Sequence, residues 1–235
     1  YGAGGSTRDR TINTVLQLES EVKIPAAPHL SCVGDSKADL RSLLSQYKAA
    51  GITRIVALRG DLPSGMGMAS GELRHANDLV EFIREETGEH FHIEVAAYPE
   101  MHPQARNFED DLLNFVRKAN AGANSAITQY FFNADSYFYF VDRVRKMGVD
   151  IPVVPGIMPI TNYSKLARFS DACGAEIPRW IRKQLEAYAD DTASIQAFGE
   201  EVITRMCEQL LQGGAPGLHF YTLNQAAPSL AIWKK

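Results

Sequence analysis

The sequence predicts an α/β fold, a single-domain (β/α)₈ TIM barrel over residues 1–235, and three observations predict it. Short β-rich runs alternate with amphipathic helical stretches along the chain, which calls for crossover connections and a parallel sheet. Several of the strand runs are almost continuously apolar, such as Ile55-Val56-Ala57-Leu58, as in strands buried on both faces. The length of 235 residues suits one such barrel, typically about 250, and is short for two domains.

The elements follow in order. Tyr1–Ala3 reads as the end of a strand running into a loop, and a helix is expected near residues 9–20. Strands are then predicted at Ile24–Cys32, Thr53–Leu58, His92–Tyr98, Ser125–Phe131, Pro152–Ile157 and Leu218–Leu223. Residues 36–50 form a helix with Leu40, Leu43, Leu44 and Tyr47 on one stripe, opened by Ser36 and Asp39 as a capping box. Residues 109–120 form another, expected to bury Leu112, Leu113 and Val116; 135–147, 163–172 and 193–211 behave alike. Gly51, Gly122 and Gly148 fall just after helices, where a left-handed C-cap favours glycine. Six complete units are visible; with the one ending at Tyr1–Ala3 and a further strand–helix unit ahead of Tyr1, the total would be eight. A doubly wound open sheet is the alternative, weakened because no GxGxxG follows any strand.

The net charge is −4, with 28 acids and 24 bases interspersed, so no basic stripe recommends a nucleic acid partner. Cys32, Cys173 and Cys207 are scattered, without metal-ligand spacing, which points to a reducing cytoplasm and no bound metal. Apolar runs are strand-sized, so no membrane span is expected.

Polar groups collect where a core would not want them, toward the carboxyl ends of strands, the end that carries chemistry in a barrel. His29, Arg59-Gly60-Asp61, Tyr98-Pro99-Glu100-Met101-His102, Gln129 and Tyr221-Thr222-Leu223-Asn224 each lie on or just after a predicted strand. Each alone has a bland explanation: a hydrogen-bonded core histidine, an ion pair, a turn. Five strands doing so at one end favours a shared pocket. On the helix at 109–120, Asp111, Asn114 and Lys118 share a face with Arg117 beside them. That face is either solvated surface or a grip on an anionic, hydroxyl-rich ligand, and spacing alone does not decide between them. The loop from Pro63 to Gly71 is glycine-rich but lacks the ending of a P-loop.

At these residues the chain resembles the methylenetetrahydrofolate reductase family, in its short bacterial form with a catalytic barrel only. The resemblance is carried by Ala27-Pro28-His29-Leu30-Ser31-Cys32, Ala57-Leu58-Arg59-Gly60-Asp61-Leu62-Pro63, Val95-Ala96-Ala97-Tyr98-Pro99-Glu100-Met101-His102-Pro103, Asp111 through Lys118, Gly122 through Phe132, Pro155-Gly156-Ile157-Met158-Pro159 and His219 through Asn224. These blocks run in register over nearly the whole chain.

The resemblance implies a barrel with non-covalent FAD, reduced by NADH or NADPH, which then passes a hydride to 5,10-methylenetetrahydrofolate and yields 5-methyltetrahydrofolate. It implies flavin contacts from Tyr1, Ala3, His29, Arg59, Gly60, Asp61, His75, Ala76, Tyr98, His102 and Ala105. Asp111, Asn114, Arg117 and Lys118 would hold the ribityl, diphosphate and adenosine portion. Gln129, Lys165, Phe169 and Gln225 would meet the pyridine nucleotide and the folate, with Asp61 and Gln129 as the catalytic pair. Asp61 would stabilise the cationic iminium of the substrate. His75 stands where the family often has Tyr, and Gln225 where Arg is common. The family's general acid is a glutamate in a first strand, expected before Tyr1; without it the proton that opens the imidazolidine ring would be missing. A cytoplasmic homo-oligomer is implied. The alternatives are another flavin barrel of the proline-oxidising type and a catalytically silent flavin- or folate-binding module.

Overall fold

The computed structural model describes residues 8–60 and 71–235. The chain begins with α1 (Arg8–Val22), β1 (His29–Ser31), α2 (Lys37–Ala49) and β2 (Arg54–Leu58). It continues through α3 (Ala76–Thr87), β3 (His92–Ala97), α4 (Phe108–Asn120), β4 (Ser125–Tyr130), α5 (Ala134–Lys146) and β5 (Val153–Ile157). It ends with α6 (Tyr163–Cys173), α7 (Arg179–Tyr188), α8 (Thr192–Gln212), β6 (His219–Phe220) and α9 (Ala226–Trp233). The strands lie in one sheet in chain order, β1-β2-β3-β4-β5-β6, and β1–β2, β2–β3 and β5–β6 pair in parallel. An order without reversal is that of a singly wound (β/α) barrel; a doubly wound sheet reverses at a switch point. Two compact units divide the chain: Tyr1–Ala96 with Asn114–Ala126, and Ala97–Leu113 with Ile127–Lys235.

In the first unit the register places Leu30, Ala57 and Val95 side by side, all fully buried. Leu40, Leu43, Leu44 and Tyr47 of α2 and Leu79, Val80, Phe82 and Ile83 of α3 are buried too, so the periodic apolar stripes supply the helical side of the core. The opposite face of the strands carries Arg54, His92 and Glu94. Arg54 pairs with Glu94 at 2.9 Å, and the His92 ring lies 2.9 Å from the Ser125 hydroxyl. The expected capping box is formed, since Ser36 Oγ accepts from the Asp39 N–H and the Asp39 carboxylate accepts from the Ser36 N–H.

Arg84 closes the amino end of this unit. Its guanidinium donates to the carbonyls of Gly122 (2.7 Å), Phe91 (2.9 Å) and Gly88 (3.1 Å), and to Asn124 Oδ1. Gly122, at φ 111°, leaves room for it; a Cβ there would sit 3.0 Å from Arg84 Cγ. Asn124 in turn accepts from the Ile93 N–H at 2.8 Å.

In the second unit α5 buries Ala134, Tyr137, Phe140 and Val144, and Tyr137 donates to the Val153 carbonyl at 2.8 Å. Gly199 within α8 lets that helix close on the chain after β5, for a Cβ would come 2.5 Å from the Ile160 carbonyl oxygen.

Several expectations shift. The strand expected at Ile24–Cys32 is only His29–Ser31, because Pro25 and Pro28 cannot donate to a ladder. On α4 the buried residues are Leu112 and Phe115, whereas Leu113 is 44% exposed, a stripe rotated from the expected one. Gly51 and Gly148 adopt the expected positive φ, 81° and 86°.

Removal of the Arg84 guanidinium would leave several carbonyls without their donor. Arg84→Ala is expected to cost about 3 kcal/mol, read as a lower urea midpoint. A second expectation concerns pH. The pKa of His92 is lowered from the ordinary 6.5, first by burial and then by Arg54 and Arg84, with Glu94 opposing. The fold therefore favours the neutral ring; this contribution is full above the unfolded value and is lost as pH falls through the lower folded value. The melting temperature of His92→Gln should accordingly fall less steeply than that of the wild type below about pH 6.5.

Candidate functional site

In the first unit the ends of β1 and β2 carry several of the expected residues. The parallel ladder runs on past the strands, with Cys32 N–H donating to the Leu58 carbonyl at 3.3 Å and Val33 N–H to the Arg59 carbonyl at 3.0 Å. Gly60, at φ 89°, then turns the chain so closely over Ser31 that a Cβ would lie 2.8 Å from Ser31 Oγ. Only glycine meets both conditions. Arg59 Nε donates back to the Gly60 carbonyl at 3.2 Å. His29 opens β1 rather than ending it, exposed and two residues before Ser31, hence on the same face. His75 is the N-cap of α3, and its N–H and that of Arg74 both donate to Asp78 Oδ2 at 2.9 Å. Ala76 is the first residue of that helix. Tyr1, Ala3 and Asp61 lie outside the described residues.

On α4 the face picked out by spacing is present. Arg117 Nη1 donates to Asn114 Oδ1 at 2.6 Å, and both residues are exposed. Lys118 donates to the Ala96 carbonyl near the end of β3, and its ammonium lies 5.6 Å from the centre of the Phe115 ring. Two cations at adjacent positions beside an amide suit an anion bearing hydroxyls.

In the second unit, the chain leaving β3 is fixed to the start of α4. The His102 N–H donates to Asp111 Oδ2 at 2.8 Å, and the Ala105 N–H closes a turn onto the His102 carbonyl at 2.9 Å. Tyr98 and His102 meet edge to face with ring centres 4.5 Å apart. The Gln104 N–H donates to His102 Nδ1 at 3.0 Å, so that nitrogen is an acceptor and a neutral ring carries its proton on Nε2. Between them Met101 sits at φ 90°, a strained region for any residue but glycine. Tyr98, His102 and Asp111 are thus brought together, with Ala105 in the same turn.

Gln129 lies on β4, half-buried, its Oε1 accepting from the Tyr130 N–H at 3.0 Å. Its neighbour Thr128 is fully buried; Thr128 Oγ1 accepts from the Gly156 N–H at 2.8 Å, and the Thr128 carbonyl accepts from the Tyr221 hydroxyl at 2.9 Å. Burial holds the Tyr221 phenol well above its usual range. Gly156 has no space for a side chain, since a Cβ would lie 2.2 Å from the Thr128 oxygen. On α6, Asn162 caps the helix by accepting from the Lys165 N–H at 2.9 Å. Lys165 and the exposed Phe169 follow at i and i+4 on one face. Gln225 is the N-cap of α9, after Leu223 and Asn224 at φ 47° and 60°. Among the described residues no hydrogen bond or ring contact joins Gln129, Phe169 and Gln225 to one another.

Sequence reasoning missed Thr128 and Tyr221 as the pair that fixes β4, and Glu100 as a clamp. Glu100 Oε2 accepts from the Glu176 N–H at 2.8 Å, a partner too remote in the chain for any spacing pattern. Among the described residues no group of three His, Cys, Asp or Glu could hold a metal ion, and no helix is long and apolar enough to cross a membrane.

Comparison with known proteins gives a consistent result. The 5,10-methylenetetrahydrofolate reductase of Escherichia coli K12 is 40% identical over 232 residues, covering 99% of this chain and 77% of that protein. The reductase of Buchnera aphidicola from Schizaphis graminum is 38% identical over 226 residues, covering 96% and 76%. Among solved structures, an uncharacterized Clostridium thermocellum protein that binds two copies of 5-methyl-5,6,7,8-tetrahydrofolic acid has a TM-score of 0.61 at 20% identity. It covers 92% of this chain and 75% of its own, a likeness of fold. The family model described as methylenetetrahydrofolate reductase matches residues 1–235, and the chain belongs to that family.

Proposed function

We propose that the protein reduces 5,10-methylenetetrahydrofolate to 5-methyltetrahydrofolate with NADH or NADPH as donor and FAD as resident carrier. What supports this most directly is the unit formed by Tyr98, His102 and Asp111, in which a carboxylate at the start of α4 holds a histidine whose neutral ring has its proton on Nε2. The residues present fit a flavin dinucleotide. Arg117 and Lys118 give the charge a diphosphate needs, and Asn114 and Asp111 give groups for ribityl or ribose hydroxyls. Gly60 offers a backbone bare of side chain at the end of β2. When bound, FAD supplies two-electron carriage between the nucleotide and the folate.

The chain's own groups then have separate tasks. His29, Arg59, Gly60, His75, Ala76, Tyr98, His102 and Ala105, with Tyr1 and Ala3, are assigned to the flavin. Gln129 and Phe169 are assigned to the face where nucleotide and folate alternate, the amide by hydrogen bonding and the ring by stacking. Lys165 and Gln225 are assigned to the outer parts of those ligands. Asp61 is assigned to offset the positive charge of the substrate's iminium, and a carboxylate is the natural group for that.

Two tests follow. The purified full-length protein should be yellow, bleach anaerobically with NADH and regain colour on adding 5,10-methylenetetrahydrofolate; a protein that neither carries nor takes up flavin would overturn the proposal. In that assay Asp61→Asn should slow the folate step at least about tenfold more than the NADH step, and equal slowing would remove Asp61 from its role. Asp111→Ala, which frees the His102 N–H, should raise the FAD dissociation constant about tenfold or more, measured by fluorescence quenching.

A further inference from the structure

We propose that Glu100 is a positioning residue, whose carboxylate locks the loop after β3 so that Tyr98 and His102 stand ready for the flavin. This rests on the proposed flavin contacts of those two rings. The observation behind it is the strained residue between them. Met101 is at φ 90°, a conformation that persists in a non-glycine residue only when its neighbours are held from outside. Both neighbours are held. On the far side, His102 donates its N–H to Asp111 at 2.8 Å. On the near side, Glu100 Oε2 accepts from the Glu176 N–H at 2.8 Å, and Ser136 Oγ approaches Oε1 at 3.5 Å. The loop's own turn adds little, since the Met101 N–H reaches the Tyr98 carbonyl only at 3.4 Å.

The other end of the clamp is also shaped for contact. Gly174, at φ 75°, ends α6 and lies so near the loop that a Cβ would sit 3.0 Å from Pro103 Cγ and 3.5 Å from the Met101 carbonyl oxygen. Glu176 follows two residues later. Glu100 thus joins the loop that carries Tyr98 and His102 to the segment that continues from α6, the helix of Lys165 and Phe169. Among the described residues Glu100 forms no ion pair. Its carboxyl is raised above the usual range, chiefly by burial and also by the Glu176 charge, while the Glu176 and Ser136 hydrogen bonds oppose this. A half-buried acid without a cation is a costly way to fill space, and the backbone N–H it captures is what it provides in return.

The inference is tested by FAD affinity and by the flavin absorption spectrum of the full-length protein. Glu100→Ala should raise the FAD dissociation constant about tenfold and shift the absorption bands, because the two rings lose their fixed position. Glu100→Gln keeps an acceptor oxygen and should restore the affinity to within about twofold. Adding Met101→Gly to Glu100→Ala removes the strain and should recover part of the loss. A folded Glu100→Ala protein with wild-type affinity and spectrum would overturn the proposal. If Glu100→Ala does not fold, Glu100→Gln decides: retained affinity supports the role and a tenfold loss overturns it. A wild-type protein that binds no FAD at all would instead strike down the assigned function, a result distinct from either.

Discussion

The hydrogen bond from the His102 N–H to Asp111 is the constraint on which the loop between β3 and α4 depends. It ties the chain just after a strand to the first turn of the next helix, where the helix dipole also favours a carboxylate. Asp111 therefore fixes how the loop before α4 turns, while Asn107 caps the helix by accepting from the Asp110 N–H at 2.8 Å. The same bond commits one oxygen of Asp111 to the protein, so any ligand hydroxyl at that residue competes with, or uses, the other.

The core was legible because its periodicities are strong. Ile55, Ala57 and Val95 are buried as runs of apolar residues require, and the α2 stripe of Leu40, Leu43, Leu44 and Tyr47 packs as written. Margins were less legible. Prolines shorten β1, and the last strand stops at Phe220 although Tyr221 still donates to the Ile157 carbonyl at 2.8 Å. Phe115 displaced Leu113 from the core because spacing alone cannot rank two apolar residues on adjacent faces of one helix.

Chemistry was legible by residue type and less so by partner. Spacing put Tyr98 and His102 at a strand end and Asp111 on a helix face with Asn114 and Lys118; the structure adds that Asp111 meets the His102 N–H. The Glu100 clamp was out of reach, since its partner is a backbone N–H in the connection between α6 and α7 that no pattern marks. Likewise His75 looked like a ligand residue and is also a helix cap whose amide is already committed to Asp78.

The bonds around Thr128 have an implication for strand slippage. Its hydroxyl and its carbonyl are both engaged inside the fold, one by a glycine amide of β5 and the other by a tyrosine. Side chains alternate along a strand, so anchoring one residue dictates the outlook of the next. A shift of β4 by a single position would break both anchors and send Gln129 to the wrong surface of the sheet. The orientation of the Gln129 amide is thereby fixed by bonds that its neighbour makes.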